Sequence, residues 1–413
     1  MKTYDFVCIG GGSAGFNAAR VAAGLGLKAA VVDGARQLGG LCILRGCMPS
    51  KTLLYAAEVL HQAQHAGRFG LKVGGARADM KAVHARKKRI IADFARVPGQ
   101  GSHPREVCPA SRARPLHRRA HDRAVERGET ARQIFLIGTG SKVSVPPVPG
   151  LRETPAWTSD DVLDLDFVPE SVIVLGGGVV ACELSQFLRR IGSEVTLVQR
   201  SPNILRDHSD DASRVVQEAF ADEGMRLFTD TKLESVSGGK KGVTVKFHHD
   251  GKLVTRRAAH LFNALGREAN TAGLNLAAAG VKTRANGQVI INRWQQTSAP
   301  HIYAAGDCSG PAEIVHIAIV QGELAARHAA KVQRLKPVDF SLLLNVVFTD
   351  PQLATIGLLE RELDERGVKY LGASYPFNDH GKSILMEMTS RLCSMTTIVL
   401  PASRSLNSRS TSR

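Results

Sequence analysis

The chain contains the same glycine-rich turn twice, 166 residues apart, each time between a short apolar strand and a helix. Asp5-Phe6-Val7-Cys8-Ile9 runs into Gly10-Gly11-Gly12-Ser13-Ala14-Gly15, and Ser-Val-Ile-Val-Leu at 171–175 runs into Gly176-Gly177-Gly178-Val179-Val180-Ala181. A second strand follows each helix, at 28–32 and at 194–198. The residue after it lies 23 positions past the first glycine in both copies, Asp33 and Gln199. Short apolar strands alternating with helices predict parallel sheets covered on both faces. The expected class is α/β with two dinucleotide-binding modules.

The spacing GxGxxG has a physical reading. Gly10 makes the tight turn, Gly12 lets main chain approach a pyrophosphate, and Gly15 permits close packing of helix on strand. The helix N-terminus offers free N–H groups and a positive dipole end to the anion. Asp33 can accept hydrogen bonds from ribose hydroxyls. In the second copy Gln199 replaces that carboxylate, and Arg200 and Arg206 follow. Losing the carboxylate removes repulsion against a 2′-phosphate, and arginines can pair with it bidentately. This favours NADPH over NADH, the plain alternative being two solvated loop arginines.

Residues 39–51, Gly-Gly-Leu-Cys-Ile-Leu-Arg-Gly-Cys-Met-Pro-Ser-Lys, carry the chemistry. Pro49 suits the first turn of a helix that Thr52 to Gln64 continue. Cys47 then sits at a helix N-terminus, where the dipole favours a thiolate. Cys42 is five residues earlier on the incoming loop, near enough for a reducible disulfide. Zinc is disfavoured because no second ligand pair with suitable spacing follows. Two unpaired structural cysteines are the bland alternative. Cys8 and Cys182 read as buried packing residues and Cys308 as incidental. His248-His249 reads as a solvated hairpin end, and His316 precedes a helix near residue 307.

Together with these motifs, Gly138-Thr139-Gly140-Ser141, Leu265-Gly266-Arg267-Glu268-Ala269-Asn270, Ile302-Tyr303-Ala304-Ala305-Gly306-Asp307 and Val347-Phe348-Thr349-Asp350-Pro351 complete a pattern. It resembles the pyridine nucleotide–disulfide oxidoreductases of the lipoamide dehydrogenase, glutathione reductase and mercuric reductase group, over about 1–93 and 133–389. The resemblance implies two Rossmann-like domains plus an incomplete α+β dimerisation domain. It divides the chain into an FAD domain (1–150 and 271–337) split around an NAD(P) domain (151–270). A partial interface domain (338–389) and a disordered tail (390–413) follow.

The resemblance also implies a path for electrons, from NAD(P)H through FAD to a Cys42–Cys47 disulfide and on to a disulfide or dithiol substrate. Cys47 would be the flavin-side thiolate and Cys42 the exposed interchange thiol. FAD contacts would come from Gly10, Gly12, Ser13, Ala14, Gly15, Asp33, Gly40, Lys51, Gly140, Ser141, Asp307 and Val315. Lys51 would pair with Glu183. The nicotinamide nucleotide would meet Gly176, Gly178, Val179, Val180, Glu183, Gln199, Arg200 and Gly266. Dihydrolipoamide-dehydrogenase-like activity is the main expectation, with mercuric or glutathione reduction as the alternative.

Three departures stand against this. The group's C-terminal His–Glu base pair has no counterpart: His380 is the last histidine, Glu387 the last acid, and Cys393 the only late cysteine. The homodimer implied by the resemblance is weakened by so short an interface segment. Residues 94–132 hold nine arginines, no lysine, four acids, four prolines and no strand or helix period, as an insertion or an out-of-frame read would give. The rival of another class is therefore a nucleotide-binding remnant that cannot turn over. The net charge of +16 is concentrated in 94–132 and 390–413 without aromatic interleaving, so it does not indicate nucleic acid. No apolar run reaches about 18 residues and no export signal opens the chain, so a cytoplasmic protein with no membrane partner is expected.

Overall fold

The computed structural model describes residues 3–35, 39–96, 107–109, 133–239, 241–373, 381–385 and 400–401. Most of 94–132 and 390–413, with His380, Glu387 and Cys393, lies outside them.

Two five-stranded parallel sheets repeat one plan. In the first, β1 (Phe6–Ile9) lies between β2 (Ala29–Asp33) and β4 (Ile134–Ile137), with β3 (Val107–Pro109) and Ile302–Ala304 at the edges. In the second, Ser171–Leu175 takes the place of β1. Glu194–Val198 and Arg226–Phe228 follow on one side, His260–Asn263 and Ala156–Trp157 on the other. The α/β class with Rossmann-like sheets is thus what the alternating strands predicted. A three-stranded antiparallel sheet, Lys232–Gly239, Gly242–His249 and Lys252–Ala258, is inserted into the second unit.

Two local expectations are corrected. Val107–Pro109 lies within the stretch that showed no strand period, yet it pairs in parallel with β2, Val31 opposite Val107. Its three residues are too few to show a period, and the sheet edge supplies their main-chain partners. Phe94 and its neighbours close α4 (Met80–Arg96). Leu400–Pro401 likewise pairs with Tyr370–Leu371.

Small residues set the helix spacing on the first sheet. Ala14, Ala18, Ala19 and Ala22 of α1 (Ser13–Gly24) are buried against Phe6, Cys8, Val31 and Leu136 and against the helix Val315–Ala329. The second sheet is covered by the helix Val179–Ile191, whose Leu184, Phe187 and Leu188 are buried with Val172, Val174 and Leu197. Fully burying each such side chain contributes about 1.5–3 kcal/mol. Leu53 and Ala57 of α3 (Cys47–Gln64) enter this same core. The helix that begins at Cys47 is therefore seated on the second module.

Candidate active site

In the first module the glycines are required by contact. A β-carbon on Gly10 (φ +106°) would lie 2.3 Å from Gly138 O, and one on Gly15 2.0 Å from Gly10 O. Gly12 precedes α1 with ordinary φ, and its side faces Gly40 Cα, 3.8 Å from where a β-carbon would sit. Ser13, Ala14 and Gly15 open α1, so their N–H groups have no intrahelical acceptor. Asp33 is held at this turn, with Oδ2 accepting from Gly11 N–H at 2.6 Å and Oδ1 from Ala35 N–H at 2.8 Å.

Three distant motifs meet at the end of this sheet. Ser141 Oγ donates to Asp307 Oδ2 at 2.7 Å and accepts from Arg267 Nε at 2.8 Å. Gly140 (φ +67°) turns the chain just before, and Gln321 fixes the other flank. Its Oε1 accepts from Gly306 N–H and its Nε2 donates to Gly310 O, both at 2.8 Å. Val315, the first residue of the helix Val315–Ala329, follows the same loop, and His316 beside it is exposed. The arrangement fits a dinucleotide. Gly12 and Gly40 bring two backbones so close that a β-carbon on Gly40 would lie 2.5 Å from Gly12 Cα. Thr139 Oγ1 is buried there with no hydrogen-bond partner among the described residues.

The redox stretch departs from expectation at Cys42, which lies in a six-residue helix, α2 (Gly40–Arg45), rather than in a loop. Gly46 separates α2 from α3 because a β-carbon there would meet Leu41 O at 2.9 Å. This break brings the two thiols together across five residues. The neighbouring Cys42 is the main reason the Cys47 thiol is lowered to about 7; the Lys51 ammonium helps, against burial and the Glu183 charge. Cys42 moves the other way, raised by the Cys47 sulfur beside it and by burial. Cys47 is exposed and Cys42 half-buried. Cys47 starts its helix with only Gly46 before it, whereas Cys42 is inside α2, which packs on α3 and α4.

Lys51, one turn into α3, places Nζ 2.7 Å from Glu183 Oε2. Glu183 is only 3% exposed and its Oε1 accepts from Phe348 N–H at 3.0 Å, so both oxygens are satisfied. Removing the lysine would leave the buried Glu183 carboxylate without its cation.

In the second module Gly176 (φ +107°) repeats Gly10, since a β-carbon would lie 2.3 Å from Ala264 O. Around Gly178, which precedes the helix Val179–Ile191, and around Gly266 (φ +112°), the space where a β-carbon would sit is open to 4 Å. Val179 and Val180 are exposed beside it, so a nucleotide's phosphates have room at this helix start. Gln199 does not copy Asp33. It is buried, packs against Gly177, and turns its Nε2 to Asn203 O at 3.4 Å. Arg200 is exposed and makes no ion pair among the described residues, while Arg206 lies 3.7 Å from Asp207.

Cys8, Cys182 and Cys308 are buried, and burial pushes their thiols up, Cys308 to about 11, which leaves them inert at neutral pH. His248 reaches Glu234 Oε2 at 2.9 Å on an exposed strand, far from this chemistry. Sequence reasoning did not single out Phe348, Gln321 or Thr139. Gln321 had one usable signal, an amide inside an otherwise apolar helix face.

The sequence pattern of the pyridine nucleotide-disulphide oxidoreductase family matches residues 4–322. A mercuric reductase of Staphylococcus aureus is 32% identical over 380 residues, covering 88% of this chain and 66% of that protein. A second, from Bacillus cereus, is 31% identical, and the chain covers 59% of it. The chain thus spans about two thirds or less of these relatives' length. The dihydrolipoyl dehydrogenase of Thermus scotoductus is 34% identical over 395 residues, 94% of this chain and 83% of that protein. Among solved structures, the Cu(II) complex of the HOCl-induced flavoprotein disulfide reductase RclA from Escherichia coli superposes with a TM-score of 0.78 at 23% identity, covering 97% of this chain and 87% of that one. No described helix is long and apolar enough to cross a membrane. With its two nucleotide turns, its cysteine pair and these relatives, the chain belongs to the pyridine nucleotide-disulphide oxidoreductase family.

Proposed function

We propose that the chain is an FAD-dependent oxidoreductase that takes reducing equivalents from NAD(P)H, with NADPH preferred, and exchanges a Cys42–Cys47 disulfide with a disulfide or dithiol substrate in the manner of a dihydrolipoyl dehydrogenase. The observation that carries this reading is the pair of free thiols Cys42 and Cys47 in two successive helices, with the Lys51–Glu183 ion pair one turn beyond Cys47. FAD, held by the first module at Gly10, Gly12, Ser13, Ala14, Gly15, Asp33, Gly40, Lys51, Gly140, Ser141, Asp307 and Val315, would supply two-electron transfer between the nicotinamide and the disulfide. The nicotinamide nucleotide would rest on Gly176, Gly178, Val179, Val180, Glu183 and Gly266, with Gln199 and Arg200 near its adenosine ribose. The FAD domain would comprise 1–150 and 271–337, the nucleotide domain 151–270, and an interface segment 338–389. Action as a homodimer in the cytoplasm, with no nucleic-acid partner, goes with this reading.

The sulfur chemistry follows from which thiol keeps its proton. Cys42, still S–H, passes that proton to the Cys47 thiolate as its sulfur attacks a substrate disulfide, and one substrate thiolate leaves. Cys47 then returns the proton to that thiolate and attacks Cys42 Sγ, releasing the second thiolate and closing the Cys42–Cys47 bond. Lys51 stabilises whichever sulfur near it is negative. A second reading, a soft metal ion held between the same sulfurs, is favoured only by the likeness to mercuric reductases.

Thiol counting tests the proposal. Purified flavin-loaded protein treated anaerobically with NADPH should gain two alkylatable thiols, Cys42 and Cys47 by peptide mapping. Equal labelling before and after NADPH would remove the redox disulfide from the account.

A further inference from the structure

Phe348 touches both members of the Lys51–Glu183 pair. The Lys51 ammonium stands 4.6 Å from the centroid of the Phe348 ring, while Phe348 N–H donates to Glu183 Oε1 at 3.0 Å. Lys51 therefore has its head between a carboxylate oxygen and an aromatic face, and the same residue supplies that face and anchors that carboxylate. The ring's location is not left to chance. Asp350 N–H donates to Gln186 Oε1 and Gln186 Nε2 donates to Asp350 O, both at 2.8 Å, and Arg190 reaches Asp350 Oδ2 at 2.7 Å. Glu183, Gln186 and Arg190 lie at i, i+3 and i+7 along one helix face, so the 348–350 segment is fastened to it at three points.

We infer that Phe348 is a positioning residue for Lys51: its ring covers the ammonium and keeps it facing Glu183 and the Cys47 sulfur, so the ring sets how strongly Lys51 acts on that thiol. An ammonium over an aromatic face is attracted by the ring quadrupole and loses water on that side. With less water around it, its field on the sulfur is screened less. The groups facing Cys47 are Cys42 from α2, Lys51 on its own helix and Glu183 from the helix Val179–Ile191. All three residues remain when the Phe348 side chain is changed, and its N–H stays available to Glu183 in every variant. The inference rests on the reading of Cys42 and Cys47 as the reactive pair.

The test is the ultraviolet thiolate titration of the full chain reduced with dithiothreitol, with Cys47→Ser subtracted to assign the signal. Phe348→Ala should raise the Cys47 midpoint by about half a pH unit. Phe348→Tyr, which keeps the ring, should restore it, and Phe348→Leu should fall between. In a Lys51→Met background, Phe348→Ala should change nothing further. A wild-type midpoint in Phe348→Ala, or the same rise with Lys51 already removed, would overturn the inference. The titration needs no NADPH, so failure of the thiol-counting experiment above would strike the proposed function and leave this result standing.

Discussion

Gly322 of the helix Val315–Ala329 faces the Ala14 carbonyl of α1 so closely that a β-carbon on it would lie 2.3 Å from that oxygen. Ala14 belongs to the first turn of the helix that follows the Gly10–Gly12 loop, so this contact sets where that helix begins. Gly322→Ala must push the two helices apart, and overpacking of this kind costs about 1–3 kcal/mol. We expect a lower denaturation midpoint together with weakened flavin retention on dialysis. Unchanged values for both would mean that the helices separate freely.

The second prediction concerns pH. A thiol lowered to about 7 is ionised above that pH and protonated below it. Alkylation of Cys47 in the reduced protein should therefore rise about tenfold between about pH 6 and about pH 8 and level off thereafter. An ordinary cysteine would gain nearer a hundredfold over the same interval and continue to rise. Cys42, shifted upward beside Cys47, should label more slowly than Cys47 across the same interval. Peptide-resolved iodoacetamide kinetics distinguish these profiles.

Glu183 acts on the same thiol with the opposite sign to Lys51, since its negative charge disfavours the Cys47 thiolate. Glu183→Gln keeps an oxygen for Phe348 N–H and removes the charge. The Cys47 midpoint should move down, below that of the unaltered protein. A rise would mean that the carboxylate's chief effect is to hold Lys51 in place rather than to repel the thiolate.

Arg200 is exposed and unpaired among the described residues, one position beyond a glutamine where the first module has an aspartate. If it meets a 2′-phosphate, Arg200→Glu should weaken NADPH binding by about 1–3 kcal/mol and leave NADH nearly unaffected. Dissociation constants for the two nucleotides decide this, and an equal change in both would place Arg200 in solvent.

What was legible in the sequence is what short-range chemistry encodes. Gly10, Gly15 and Gly176 could be read because each turn requires a residue without a side chain, and the two copies reinforce one another. The cysteine pair was legible through its spacing and its helix-start punctuation. Val107–Pro109 was not, because three residues at a sheet edge are specified by β2 rather than by their own period. The α2 helix escaped because it has only six residues, bounded by glycines that read equally well as a loop. Phe348 was legible only as part of the 347–351 motif; its contact with Lys51 and Glu183 was not, because Glu183 lies 165 positions away.

The helix Val179–Ile191 begins at the second nucleotide turn and is fastened through Glu183, Gln186 and Arg190 to residues 348–350. One helix thus joins the second glycine turn to the 348–350 segment through three side chains. A shift of that helix along its axis would have to strain or break these contacts.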